Sequence, residues 1–415
     1  MATQSKQEVI SIDRLSALVT GRDVEQFLCD FEEHRDEIAK CIANKRILVI
    51  GGAGSIGSAT IRALVPFRPY ALHVVDQNEN SLAELVRDMR SGTNSFDIQD
   101  FRTLPLDFGS PVMAAFLHDM EPYDMILNFA AIKHVRSEKD TYSLLQMLDT
   151  NVVKQARFLR WLSATQNDAR YFCVSTDKAA NPVNLMGASK RTMEHVLFSD
   201  EIAPNSSLRI TSARFANVAF SDGSLLDSFL KRLQKLQPLA VPGDTKRYFI
   251  SLKEAGQICL LASVCASHRN ILIPRFNPST DLLDLENIAV AVIREHGLEV
   301  HRYSVEDEAK ANLKSDLLNN LYPLLVTPLD TSGEKPYEEF VGDGENSVEV
   351  GMSNLLAVEY SPAKAGSCAA FVKNVEALLL EPERSIGKEK IVLLLSELIP
   401  QLHHIETGKN LDQRM

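Results

Sequence analysis

The chain has 415 residues, of which 45% are hydrophobic and 24% charged, an ordinary globular composition with room for two or three domains. A formal net charge of −11 excludes broad binding to nucleic acid or to an anionic membrane, which needs a basic surface, although a local basic pocket for a small phosphorylated ligand remains open. No run nears the ~18 apolar residues of a membrane span, and Met1–Lys6 starts no leader. The six cysteines are scattered without a C-x-x-C pair or zinc-like spacing to histidine, so a cytoplasmic protein with buried thiols and no metal is expected.

Residues 1–45 are charged and helix-prone, with Val24, Phe27, Leu28 and Phe31 at roughly helical spacing and Ile38 and Ile42 further on. They predict a helical N-terminal extension that packs on the main body or on a second subunit. From Arg46 short apolar runs alternate with helical stretches: Ile47–Ile50, Leu72–Val75, Met125–Asn128 and Tyr171–Val174, with Leu208–Arg214 a less regular candidate. Apolar runs of this length suit parallel strands covered on both faces, and their alternation with helices predicts a Rossmann-type doubly wound α/β sheet over residues 46–220. Residues 221–345, broken by Pro238, Pro242, Pro274 and Pro278, read as a smaller mixed substrate-binding lobe containing an amphipathic helix from Leu283 to Gly297. Residues 346–415 read as a C-terminal extension, β-like from Ser347 to Tyr360 and then helical to the end.

The first strand runs into Gly51-Gly52-Ala53-Gly54-Ser55-Ile56-Gly57, which contains G-x-G-x-x-G and opens a helical stretch. Glycines there permit the tight turn and let backbone approach a pyrophosphate, whose charge meets the helix N-terminus. Gly51, Gly54, Ser55, Ile56 and Gly57 are therefore candidate cofactor ligands. Asp76 closes the second strand, where a carboxylate accepts both ribose hydroxyls and favours NAD over NADP. Asp107 and Phe108 follow the third strand region as candidates near the adenine. Ala130 and Ala131 follow the fourth, small enough to let a cofactor lie against the sheet edge.

The most informative stretch is Ser175-Thr176-Asp177-Lys178-Ala179-Ala180-Asn181-Pro182, continuing to Met186 and Lys190. It follows a strand, so Thr176, Asp177 and Lys178 sit at a carboxyl strand end, where doubly wound sheets place their sites. The plain alternative for Asp177–Lys178 is a surface ion pair, and for His134 a hydrogen-bonded structural histidine.

With the glycine loop, Ala130-Ala131-Ile132-Lys133-His134-Val135, Ser175–Lys190 and Gly333-Glu334-Lys335-Pro336-Tyr337-Glu338-Glu339, the sequence resembles the extended short-chain dehydrogenase/reductases over about residues 46–340. Within them it resembles the UDP-N-acetylglucosamine 4,6-dehydratases of polysaccharide biosynthesis. That resemblance implies a UDP-sugar substrate, a homo-oligomer, and an internal redox cycle. C4 is oxidised by NAD, water leaves across C5 and C6, and hydride returns to C6.

The resemblance also implies roles. Thr176 polarises the C4 oxygen, Asp177 is the acid at C6 and Lys178 the base at C5, its pKa lowered by a neighbouring cation such as Lys190 or Lys133. Met186 stands in the catalytic site where the wider family has tyrosine, so the phenol base is absent. Lys190 holds the nicotinamide ribose, and Asn151 props the catalytic helix beside the cofactor. Lys133 faces cofactor or substrate, and His134, Asn217, Arg247 and Arg275 face the substrate. The chain departs from the family pattern at Ala216, Ala219–Asp222 and Thr331-Ser332, which leaves two other functions open: a UDP-sugar 4-epimerase or C5-epimerising dehydratase, and a catalytically silent NAD(H)-binding regulator.

Overall fold

The computed structural model describes residues 10–92, 96–165, 168–328, 335, 337–380 and 387–404. Gly333, Glu334 and Pro336 of the quoted motif, Thr331 and Ser332, and the expected helical continuation past 404 lie outside the described residues. The chain divides into two compact units, one of residues 1–26, 217–252 and 277–329, the other of 27–216, 253–276 and 330–415.

The larger unit is built on a nine-stranded sheet. Its strands are β1 (Arg46–Ile50), β2 (Ala71–Val75), β3 (Asp100–Leu104), β4 (Met125–Asn128), β5 (Arg170–Val174), β6 (Arg209–Ala213), β7 (Asn270–Pro274), β8 (Ser347–Glu349) and β9 (Leu355–Glu359). Their spatial order is β8-β9-β7-β6-β5-β4-β1-β2-β3. From β7 to β3 every pairing is parallel, while β9 joins β7, and β8 joins β9, antiparallel. The expected doubly wound sheet is present, and the β-like stretch from Ser347 is its antiparallel edge hairpin. Residues of β1 and β2 are buried almost throughout, because helices cover both faces and leave no solvent side for polar alternation.

Chain order reverses between β1 and β4, so the loops leaving those strands diverge and open the crevice in which such sheets bind ligands. The helix α1 (Ser55–Leu64) follows β1, and α2 (Leu185–Phe198) follows the turn after β5. Leu48, Ile50, Ile126, Tyr171 and Cys173 from the central strands share one core with Leu185, Val196 and Leu197 of α2. Helices Ser367–Leu380 and Lys388–Leu398 add Phe371, Val375 and Leu395 to that core. The N-terminal residues enter this unit at Phe27, whose side chain is buried, as are Phe31, Ile38 and Ile42; Val24 is exposed. Asp30 is buried too and accepts backbone N–H groups from Ser353 and Asn354 at 2.6 and 2.8 Å.

The smaller unit has a three-stranded parallel sheet in which Leu321–Thr327 lies between Leu239–Pro242 and Glu299–Tyr303. Its core joins Leu15 and Val19 of the helix Ile12–Thr20 to Phe229, Leu239, Val292 and Leu324. The amphipathic helix expected from Leu283 runs Leu285–Glu295, with Asp284 accepting from Asn287 N–H as its N-cap. All six cysteines are free; Cys173, Cys259 and Cys368 are buried, but Cys29 is exposed, which corrects the expectation of uniformly buried thiols. Among the described residues no helix is long and apolar enough to cross a membrane.

Candidate active site

The glycine loop turns sharply at Gly51, whose φ is +68°, and whose N–H donates to Val75 O at 2.7 Å. A side chain is excluded there twice over, because a Cβ would fall 2.7 Å from Ala130 N. At Gly57 the demand is for proximity: a Cβ would lie 2.4 Å from Gly51 O and 2.7 Å from Gly52 Cα. The helix α1 therefore packs directly on the turn that feeds it. Its N-cap is Gly54, exposed and without a side-chain cap bond, and Ser55 and Ile56 are half-buried. The first-turn N–H groups thus have no side-chain capping acceptor and suit an anion.

Asp76 braces this loop. One carboxylate oxygen accepts from Ala53 N–H at 3.1 Å and the other from Asn78 N–H at 3.0 Å, leaving lone pairs for further donors. Asn128, at the end of β4, accepts from Ala130 N–H at 2.9 Å and donates to Gln155 and Tyr171. That fixes Ala130 and Ala131, both half-buried, beside the glycine turn.

Asp107 is held by Lys154 at 2.5 Å and by Gly109 N–H at 2.9 Å. Burial acts to raise its pKa, but the bonds from Lys154, Gly109 and Gln77 outweigh it and hold the carboxyl below its ordinary value. Phe108 turns its side chain into the core. Its side chain is 2% exposed and packs edge-on against Phe158, so only its backbone is left to meet a cofactor.

Beyond β5 the cluster is compact. Thr176 donates to Asp177 Oδ1 at 2.8 Å, and Lys178 reaches the same oxygen from its backbone N–H at 2.9 Å and from Nζ at 3.0 Å. Asp177 is 2% exposed, and its Oδ2 has no hydrogen-bond partner among the described residues. A buried carboxylate oxygen without a partner costs too much to be incidental and marks where a ligand group fits. The neighbour expected for Lys178 was a cation; instead Asp177 and Glu338, whose Oε1 is 3.9 Å from Nζ, flank it.

Lys190, on α2, is buried and reaches back to donate to Val174 O at 2.7 Å. Burial pulls its ammonium below the ordinary lysine value, with Cys173 and Glu194 opposing. Met186 is a core residue in the same cluster as Leu185 and Ala188, and its N–H donates to buried Glu138 at 2.8 Å. The side chain in the tyrosine position therefore packs and does no chemistry, which corrects its place among the catalytic residues. Asn151 braces the loop after β4 against α2. It is buried, accepts from Ile132 N–H, donates to Ile132 O and donates to Ser189 Oγ, all at 2.9–3.0 Å.

Lys133 and His134 are exposed on the same loop. Lost hydration, then the positive Lys133 and Arg136, hold the His134 imidazole below its ordinary value. Arg275 is not an isolated nucleotide-binding cation: it is ion-paired with Glu349 at the antiparallel sheet edge. Asn217 and Arg247 belong to the smaller unit, Asn217 pairing in register with Phe249 and Arg247 with Leu283.

Sequence reasoning missed the charges that hold this site together. Glu194 of α2 accepts from Ser175 Oγ at 2.6 Å and from Arg214, and Arg214 also donates to Glu345 and to Phe340 O. Only burial reveals such a network, and no spacing rule predicts it. One further group, His34, Glu37 and Cys265, brings ligand-type atoms within 4.8 Å of one another, but Arg170 and Arg209 stand beside it and oppose a dication.

A doubly wound parallel sheet with a glycine turn at its switch point and a Ser-Thr-Asp-Lys strand end is a Rossmann-type fold. The chain belongs to the polysaccharide biosynthesis protein family, whose model matches residues 47–359. It is 30% identical over 273 residues to the uncharacterized membrane protein MJ1061 of Methanocaldococcus jannaschii, covering 65% of this chain and 77% of that one. It is 29% identical to the probable polysaccharide biosynthesis protein EpsC of Bacillus subtilis, over 60% of this chain but only 41% of that longer protein. With the UDP-N-acetylglucosamine 4,6-dehydratase (inverting) of Campylobacter jejuni, serotype O:2, it shares 27% identity over 58% of this chain and 70% of that one. The fold is also that of Pen from Bacillus thuringiensis, with a TM-score of 0.62 at 22% identity over 87% of this chain and 98% of that one.

Proposed function

We propose that the chain is an NAD-dependent nucleotide-sugar 4,6-dehydratase acting on UDP-N-acetylglucosamine. The observation that carries this reading is the unpartnered, buried Oδ2 of Asp177 within the Thr176–Asp177–Lys178 cluster. The Campylobacter relative named as such a dehydratase supports it.

Gly51, Gly54, Ser55, Ile56 and Gly57 would hold the pyrophosphate of NAD, Asp76 its ribose and Lys190 its nicotinamide ribose. The bound cofactor supplies a hydride acceptor at the sugar C4 and returns the hydride to C6. This chain's own residues do the proton work. Thr176 polarises the C4 oxygen, and Asp177 with Lys178 exchanges the protons by which C5 is deprotonated and the C6 oxygen leaves as water. Removing the C5 proton becomes feasible only once C4 is a carbonyl, so no external base stronger than these side chains is needed. Met186 cannot take a proton, which leaves this cluster as the acid–base machinery at the strand end. Lys133, His134, Asn217, Arg247 and Arg275 remain the candidates for the UDP-sugar, and a homo-oligomer is the expected state.

Incubation with UDP-N-acetylglucosamine and catalytic NAD+, followed by mass spectrometry, tests the reading. Loss of the mass of one water is expected. Unchanged mass with inverted C4 would assign the protein as an epimerase, and no turnover of any UDP-hexose despite bound NAD would make it a silent binder.

A further inference from the structure

We propose that Glu338 is a positioning residue for the Thr176–Asp177–Lys178 cluster, laid over it by Lys335 and residues 337–345 so that Lys178 is fixed between two carboxylates. The effect on turnover rests on the dehydratase reading above; the placement of Lys178 does not.

The segment crosses the turn after β5 at successive anchor points. Lys335 Nζ donates to Asn181 O, Asn181 Nδ2 donates to Glu339 at 3.0 Å, and Asp343 N–H donates to Asn181 Oδ1 at 2.8 Å. A Cβ on Gly342 would lie 2.3 Å from Ala180 O, so only glycine permits the crossing. Glu345 then takes Arg214 and Arg191, which closes the segment on α2 and β6. Glu338 sits among these anchors, buried, with Oε1 at 3.9 Å from Lys178 Nζ, while Asp177 Oδ1 faces the same nitrogen at 3.0 Å.

Charged groups stand on each of the described elements packed around Lys178. On its own turn there is Asp177. On α2, Lys190 is turned to Val174 O, and Arg191 and Glu194 are joined to the Arg214–Glu345 network. On the crossing segment Lys335, Glu339 and Asp343 are engaged with Asn181. Glu338 is the member of that segment that reaches Lys178.

An ammonium between two carboxylates is the favoured form, because each anion lowers its energy and neither lowers that of the amine. The two carboxylates therefore favour the ammonium form of Lys178. Glu338 sets that charge and, through a crossing anchored on both sides, the direction of the side chain. Lys335, Glu338 and Glu339, from the run singled out late in the chain, thus meet the Ser175–Pro182 run in one assembly.

Carbon-13 reductive methylation of the full-length, NAD-loaded protein reports the titration of Lys178, its resonance identified by its loss in Lys178→Arg. In Glu338→Gln the midpoint should fall by about one pH unit, the shift expected on removing an adjacent opposite charge. Glu338→Asp should shift it the same way by less, and serves if the glutamine variant fails to fold. In water loss from UDP-N-acetylglucosamine, Glu338→Gln should move the limb of the pH profile set by Lys178 by the same amount and lower kcat by about tenfold or more with KM little changed. An unmoved Lys178 midpoint in both variants overturns the proposal. If the wild-type protein releases no water, the dehydratase reading fails, and the titration still decides Glu338.

Discussion

Arg214 donates to both carboxylate oxygens of Glu194, at 2.8 and 2.6 Å, and neither side chain is exposed to solvent. The pair joins the end of β6 to α2, and through Ser175 Oγ it reaches the strand end that carries Asp177. Burial alone would push the Glu194 carboxyl up. The charge and hydrogen bonds of Arg214, then Arg191 and Ser175, bring it down to about 2. Removing one partner leaves the other as an uncompensated buried charge, so Arg214→Leu should cost about 3–5 kcal/mol in urea unfolding. A loss within ~0.5 kcal/mol would show that the pair relaxes into solvent. Since the folded value of Glu194 is depressed, its stabilisation is complete above about 4.5 and is lost as pH falls towards 2. Glu194→Gln should accordingly flatten the stability–pH curve across that interval.

Gly57→Ala and Gly54→Ala should part company. At Gly57 the new methyl meets backbone at 2.4 Å, whereas at Gly54 the nearest atom is 3.5 Å away, an ordinary contact. The turn must move in the first variant and not in the second. NAD affinity measured by calorimetry should fall at least about tenfold for Gly57→Ala, a loss of about 1.4 kcal/mol, and by much less for Gly54→Ala. Equal affinities would remove the loop from the cofactor site.

Asp177→Asn and Lys178→Ala should each reduce water loss by about 10²-fold or more while leaving NAD bound, because both sit at the β5 end and away from the glycine turn. Product formation and cofactor content, measured on the same sample, separate the two effects. Full activity in either variant sinks the role assignment.

Asn151→Ala deprives Ile132 of a donor and an acceptor and Ser189 of a donor. Stability should fall by about 1–3 kcal/mol, the cost of buried groups left unpaired, with activity falling alongside. A variant as stable as the parent would mean that water replaces the amide.

The parallel strands were legible because full burial writes itself as uninterrupted apolar runs: Ile47–Ile50, Leu72–Val75 and Tyr171–Val174 all stand where such runs predict strands. Glu299–Tyr303 was not, since its side chains are largely exposed and its sequence, Glu-Val-His-Arg-Tyr, carries no such pattern. In the site, backbone-driven features were readable, because a glycine turn or a strand-end motif has a fixed spacing. A position in sequence does not say which way a side chain turns, and Phe108, Met186 and Asn151 all turn into the core. Glu194 and Glu345 could not be read at all, and Glu338 only as a member of a motif, since their partners are brought to them only by the folded chain.

The antiparallel hairpin that ends the sheet has a consequence for self-association. Its outermost strand, Ser347–Glu349, is three residues long, and its last residue is salt-bridged to Arg275. At the opposite edge, Asp100–Leu104 carries the Asp100–Arg102 ion pair. Short or charged borders resist the addition of a foreign strand. A second copy of this chain therefore finds no long bare border on which to extend the sheet, and dimers or higher assemblies should form through helical faces rather than by strand addition.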